Sequence, residues 1–239
     1  RGLALRDLRH LLLSHIHLDH AGAAGSLVRE HPGLQVHVSE IGARHVADPS
    51  RLEASARRLY GEAFDVLWGE LAPVPAANVH VVGERVLGLD CFPAPGHASH
   101  HVCYLDAEGT LWAGDATGVR IEPGSYVLPV CPPPDVDVEA WNRTIDEIER
   151  RTPQRLALIH FGVFEDVAEH LGRLREELAR YAEIGSRDVG VDAFVAEAQA
   201  GIPPGERDLY EHAAPLAQCY LGMKRYWDKR REVAERAQP

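Results

Sequence analysis

The chain has 239 residues, 45% of them hydrophobic, and a formal net charge of −11. Such a length suits one large domain or a domain with an appendage, and the negative charge argues against a phosphate backbone as the main partner. No run of about 18 or more apolar residues marks a membrane span, and the N-terminus shows no apolar core with a cleavage site. The expectation is a cytoplasmic protein with a small-molecule substrate, no nucleic-acid or membrane partner, and scope for a homodimer. Cys91, Cys103, Cys131 and Cys219 are widely spread with no C-x-x-C pair, so they are expected reduced, with Cys91 and Cys103 as small apolar residues of strands.

In chain order, residues 11–14 read as a short, fully buried strand. Residues 21–31 read as a helix stopped by Pro32 and Gly33. Residues 35–39 alternate like a strand. Asp48 as N-cap and Pro49 at the first helical position open a helix running to about residue 71. Its apolar positions Leu52, Ala56, Leu59, Ala63, Val66 and Leu67 recur at helical spacing, and Gly61 is a weak point. From residue 78 to 114 the chain turns to short, alternating strands, with a hairpin signal at "DAEGT". A Pro-rich loop covers residues 122–134, a helix 137–151 and a buried strand 155–162. Val167, Leu171, Leu174, Leu178 and Tyr181 then form an amphipathic stripe. Further helices are expected over about 191–200 and 208–231, separated by "GIPPGE". This order calls for helices packed outside sheets.

The chemistry sits at strand ends. In "LLLSHIHLDHAGAAG", His15 and His17 are two residues apart after a strand, so an extended backbone points both imidazoles the same way. Asp19 and His20 follow at the turn into the next helix. His97 follows Gly96, Asp115 follows Gly114, and His160 ends "LALIH". A lone histidine after a strand is ordinarily a hydrogen-bonded turn residue. Four strand ends carrying only imidazole and carboxylate read instead as metal ligands, a donor set that suits zinc and also serves iron or manganese. His10, His31, His37, His45, His80, His170 and His212 are expected to be solvated or at the core edge. His100 and His101 either hydrogen-bond a ligand or simply start a strand.

"HIHLDH", "PGH", "GD" and "HFG", in this order over residues 11–162, resemble the metallo-β-lactamase fold hydrolases. "PGHASHHVCYLD" followed by "LWAGD" resembles their glyoxalase II-like branch most. The resemblance implies an α/β fold (α+β in some schemes), an αββα sandwich, as a catalytic domain over residues 1–163 with a helical C-terminal region, 164–239, packed on it. It implies two divalent metal ions, zinc first and iron or manganese as options. His15, His17 and His97 would hold one, Asp19, His20 and His160 the other, and Asp115 would bridge. The implied reaction is hydrolysis of a small ester, thioester or lactone by a metal-bridging hydroxide, with Asp19 and Asp115 as the catalytic carboxylates. Tyr60, Trp68, Arg120, Tyr126 and His212 are candidates for substrate contacts.

Two departures from that pattern bear on function. Strands that normally precede the first motif are missing ahead of residue 11, so absent N-terminal residues are expected. Asp115 stands where true β-lactamases often carry cysteine, which points away from antibiotic hydrolysis. The short stretch from Asp115 to His160 leaves no room for the inserted domain of related nucleases. Two alternatives stand beside the hydrolase: a mononuclear iron oxygenase resembling persulfide dioxygenases, and a non-enzymatic binder that kept the fold.

Overall fold

The computed structural model describes residues 4–236. The chain divides into two compact units, one running through Pro93 and taking His100–Val102, the other formed by Ala94–Ser99 and the chain from Cys103 onward.

The first unit contains β1 (His10–Leu12), α1 (Leu18–Ala21), α2 (Ala24–Glu30), β2 (Gln35–Val38), α3 (Glu40–Ala47), α4 (Ser50–Tyr60), α5 (Phe64–Leu67), β3 (Val79–Val81), β4 (Arg85–Val86) and β5 (Leu89–Pro93). Strands β1, β2 and β3 form a parallel sheet in that order, with Leu11 opposite Val36 and Val36 opposite Val79. Because side chains alternate across a sheet, Leu11, Val36, Val38 and Val79 share one face. They pack there with Ala24 and Val28 of α2 and Val46 of α3. The opposite face carries His37, whose ring lies 5.2 Å from His10 and 5.2 Å from His80. Burial and the two neighbouring rings hold His37 below the ordinary imidazole range. β4 and β5 pair antiparallel.

Two of the expected helices are broken in the fold. The segment 21–31 is split into α1 and α2. Gly25 lies against the 71–74 segment so closely that a Cβ would sit 1.9 Å from the Ala72 carbonyl oxygen. The long helix from residue 48 stops at Tyr60, because Gly61 takes φ 55, and helical structure resumes as α5. The first part, α4, starts at Ser50, one residue later than expected, with the Asp48 carboxylate accepting from the Ser50 amide at 3.1 Å.

The second unit contains most of β6 (Val102–Leu105), then β7 (Thr110–Gly114), α6 (Val138–Arg151), β8 (Arg155–Leu158), β9 (Gly162–Phe164), α7 (Val167–Ser186), α8 (Val191–Gly201), α9 (Arg207–Ala213) and α10 (Leu216–Arg236). Strands β6 and β7 form the expected hairpin, β7 and β8 run parallel, and β8 and β9 antiparallel. Asp106 fastens the hairpin by accepting from the Thr110 amide at 2.8 Å. Helix α6 begins at an Asp137 cap that accepts from Ala140 N at 2.8 Å, and buries Trp141, Ile145 and Ile148. The expected stripe on α7 is buried from Leu171 through Tyr181, and α10 packs on α7 and α8. Cys91 lies in β5 and Cys103 in β6, and all four cysteines are free and buried. Burial pushes the Cys103 thiol well above its ordinary value. Among the described residues no helix is long and apolar enough to cross a membrane.

Candidate metal centre

In the first unit the donors stand on one turn. Past β1, Leu13 and Ile16 go into the core, and His15 and His17 flank Ile16 in the turn that follows. His17 caps α1, and Asp19 and His20 lie in its single turn. His15 Nε2 lies 3.0 Å from His17 Nδ1, and His20 Nε2 lies 3.0 Å from an Asp19 carboxylate oxygen. The His15 and His20 rings are 4.1 Å apart, and His101 stacks on His15 at 4.9 Å. Ser14 Oγ meets His15 Nδ1 at 3.1 Å, which leaves Nε2 as the atom facing His17. The turn is held from behind. The Val102 amide donates to the Ser14 carbonyl at 2.7 Å, the Ile16 amide to His100 Nδ1 at 3.4 Å, and Ser39 Oγ to the His100 carbonyl at 2.7 Å. His100 thus supports the turn's backbone.

In the second unit three separate strand ends supply donors. The Asp115 side chain is buried. One of its oxygens lies 3.4 Å from His97 Nε2 and the other 3.5 Å from His160 Nε2. His97 is fully buried and its Nδ1 donates to the Val130 carbonyl at 2.7 Å. A carbonyl only accepts, so that bond places a proton on Nδ1 and turns Nε2 toward Asp115. Nε2 and the carboxylate thus face each other at a distance that leaves both turned toward one point. The donor chemistry therefore fits a divalent metal ion.

The backbone at these ends is equally constrained. Gly96, at φ 141, sits so close to α6 that a Cβ would meet the Trp141 Cβ at 2.3 Å. Asp115–Thr117 form one 3-10 turn after Gly114, at φ 54. The Trp141 indole donates to the Ala116 carbonyl at 2.7 Å, and His170 Nε2 donates to the Thr117 carbonyl at 2.8 Å. His160 is half-buried, just before Phe161 at φ 67.

His170 corrects the reading that put it in solvent or at the core edge: it is fully buried. Burial lowers it to about 4, against the ordinary 6.5. A signal for it existed, because residue 170 is one helical turn from Leu174 on the apolar stripe. Trp141 and Val130 left no signal tying them to the donors.

The substrate-contact candidates are placed as follows. Tyr60 and Trp68 meet edge-to-face at 5.4 Å in the first unit, packed with Leu18, Ala56, Phe64 and Leu71. Arg120 pairs with both oxygens of Asp166 at 2.8 Å and lies over the Phe164 ring. Tyr126 is buried and donates to Glu177 at 2.8 Å. His212 is exposed, with Nδ1 donating to the Asp208 carbonyl one turn earlier.

Fold and donor chemistry together fit a metal-binding protein. Residues 1–160 match the family model of the metallo-beta-lactamase superfamily, and the chain belongs to that superfamily. Among relatives, the metallo-beta-lactamase fold-containing protein ST1585 of Sulfurisphaera tokodaii is 24% identical over 193 residues, 76% of this chain and 72% of its own length. The solved structure of ST1585 superposes with a TM-score of 0.61 at 23% identity, covering 72% of this chain and 68% of that one. The metallo-beta-lactamase family protein TTHA1429 from Thermus thermophilus superposes with a TM-score of 0.65 at 21% identity, covering 98% of this chain and 77% of that one. These likenesses show the expected fold. The uncharacterized protein YobT of Bacillus subtilis is 30% identical over 119 residues, 48% of each chain, so the match spans about half of that relative.

Proposed function

We propose that the chain is a dinuclear metal-dependent hydrolase of the glyoxalase II-like kind, acting on small esters, thioesters or lactones. His15, His17 and His97 would hold one ion, Asp19, His20 and His160 the other, and Asp115 would be shared. One observation carries this reading: the single buried carboxylate of Asp115 offers each oxygen to a different imidazole. The family match supports it by running through all seven donors, from residue 1 to residue 160. Residues 1–163 form the catalytic part in this reading, and 164–239 a helical region that supports it.

Divalent ions at such a donor set polarise a carbonyl and bring a coordinated water to ionise near neutral pH. The protein's own groups do the rest. Val130, through its carbonyl, holds the His97 ring with Nε2 toward Asp115. Asp115 would offer one carboxylate oxygen toward His97 and the other toward His160. Asp19 has a side chain 45% exposed, so it can orient a water and pass its proton to solvent. No dedicated acid for the leaving group is needed if that group is a thiolate, which favours thioesters among the three substrate classes.

The test is a panel of thioesters, lactones, simple esters and phosphodiesters with zinc-, iron- and manganese-loaded protein. The reading expects turnover confined to carbonyl substrates. Thiol-dependent oxygen uptake by iron-loaded protein with no hydrolysis would replace it with the oxygenase.

A further inference from the structure

The Asp115–Thr117 turn has every carbonyl occupied from within the second unit. Gly118 N donates to the Asp115 carbonyl at 3.0 Å, the Trp141 indole to Ala116 at 2.7 Å, and His170 Nε2 to Thr117 at 2.8 Å. Gly118 follows at φ 71, where a Cβ would strike the Leu128 carbonyl oxygen at 2.6 Å. The turn is thus clamped on three sides, and two of the clamps are side chains.

His170 is the odd member of this set. Its ring is fully buried beside Phe164, 5.8 Å away, and its Nδ1 has no hydrogen-bond partner. A buried nitrogen without a partner costs roughly 1–3 kcal/mol. If α7 needed only volume here, a phenyl ring would fill it without that cost. Burial holds the imidazole at about 4, so it is neutral at physiological pH and carries one proton. The Thr117 carbonyl can only accept, which places that proton on Nε2. What the ring adds over an apolar side chain is this one donated bond, to the turn that carries Asp115.

We propose that His170 is a positioning residue for Asp115, fixing the turn through the Thr117 carbonyl so that the carboxylate is already oriented to bind metal. The proposal rests on Asp115 being a metal ligand. It ties α7, outside the family match at residues 1–160, to metal affinity. A ring that only packs would affect the metal-free and metal-loaded protein alike. A ring that orients a ligand changes the difference between them.

The test compares wild type with His170→Phe, which keeps the ring and loses the donor, and with His170→Gln, whose side-chain amide can restore it. Zinc affinity is measured by competition with a chromogenic chelator, and melting temperature with and without zinc. His170→Phe should bind zinc about 10-fold more weakly, the range for partners of metal ligands, with a smaller zinc-induced rise in melting temperature. His170→Gln should recover most of both. Should His170→Phe not fold, Trp141→Phe removes the neighbouring clamp on Ala116 and should weaken zinc binding in the same way. Unchanged zinc affinity in His170→Phe overturns this proposal and leaves the hydrolase reading standing. Equal losses of affinity in His170→Phe and His170→Gln also overturn it, by showing that packing alone matters. A wild type that takes up no zinc overturns both.

Discussion

The two units present their candidate metal donors in opposite ways. In the first, His15, His17, Asp19 and His20 stand within six residues, and a strand end followed by one helical turn suffices to gather them. In the second, His97, Asp115 and His160 come from three strand ends and depend on backbone clamps. Val130 holds His97, and Trp141 and His170 hold the Asp115 turn. A contiguous cluster carries its geometry in local sequence. A dispersed one needs remote residues to restore the precision that covalent proximity does not provide.

That contrast breaks most sharply at Asp115. Asp115→Ala should lower turnover by more than the roughly 10–100-fold that partners of metal ligands are worth, while circular dichroism shows a folded chain. His20→Ala, in the contiguous turn, should cost less because it removes a terminal donor and leaves the shared one. Equal losses in steady-state assays would erase the distinction.

A smaller effect is expected from acid. An ordinary imidazole titrates near 6.5, and burial brings His170 to about 4. Between those values the unfolded chain binds a proton that the folded chain refuses. The stability from keeping His170 neutral is complete above about 6.5 and falls as pH drops toward 4, by up to about 1.4 kcal/mol per pH unit. Denaturant unfolding at pH 7 and pH 5 should show this drop in wild type and a shallower one in His170→Gln. Identical slopes would mean that His170 contributes nothing to it.

The same contrast explains what was legible in the sequence. The His15–His20 turn could be read because period-two alternation after a strand puts both imidazoles on one side. The α7 stripe and the β6–β7 hairpin were legible for similar local reasons. The break at α1/α2 was not, and the one at Gly61 showed only as a weak point. At the first, Gly25 must clear the Ala72 carbonyl, a contact 47 positions away in the chain. At the second, helical spacing of apolar residues continued across a glycine whose φ of 55 ends the helix. His170 was misread because its partner is a backbone carbonyl in a distant turn, and backbone groups leave no trace in side-chain patterns. Arg120 looked like a substrate contact while the Asp166 that pairs with it lies 46 residues on.

The most direct measurement is the number of metal ions each chain retains. After equilibration with excess zinc and removal of free ions, elemental analysis should find two zinc ions per wild-type chain and at most one in Asp115→Ala. Wild-type protein that retains none, or an Asp115→Ala variant that still retains two, would contradict the account.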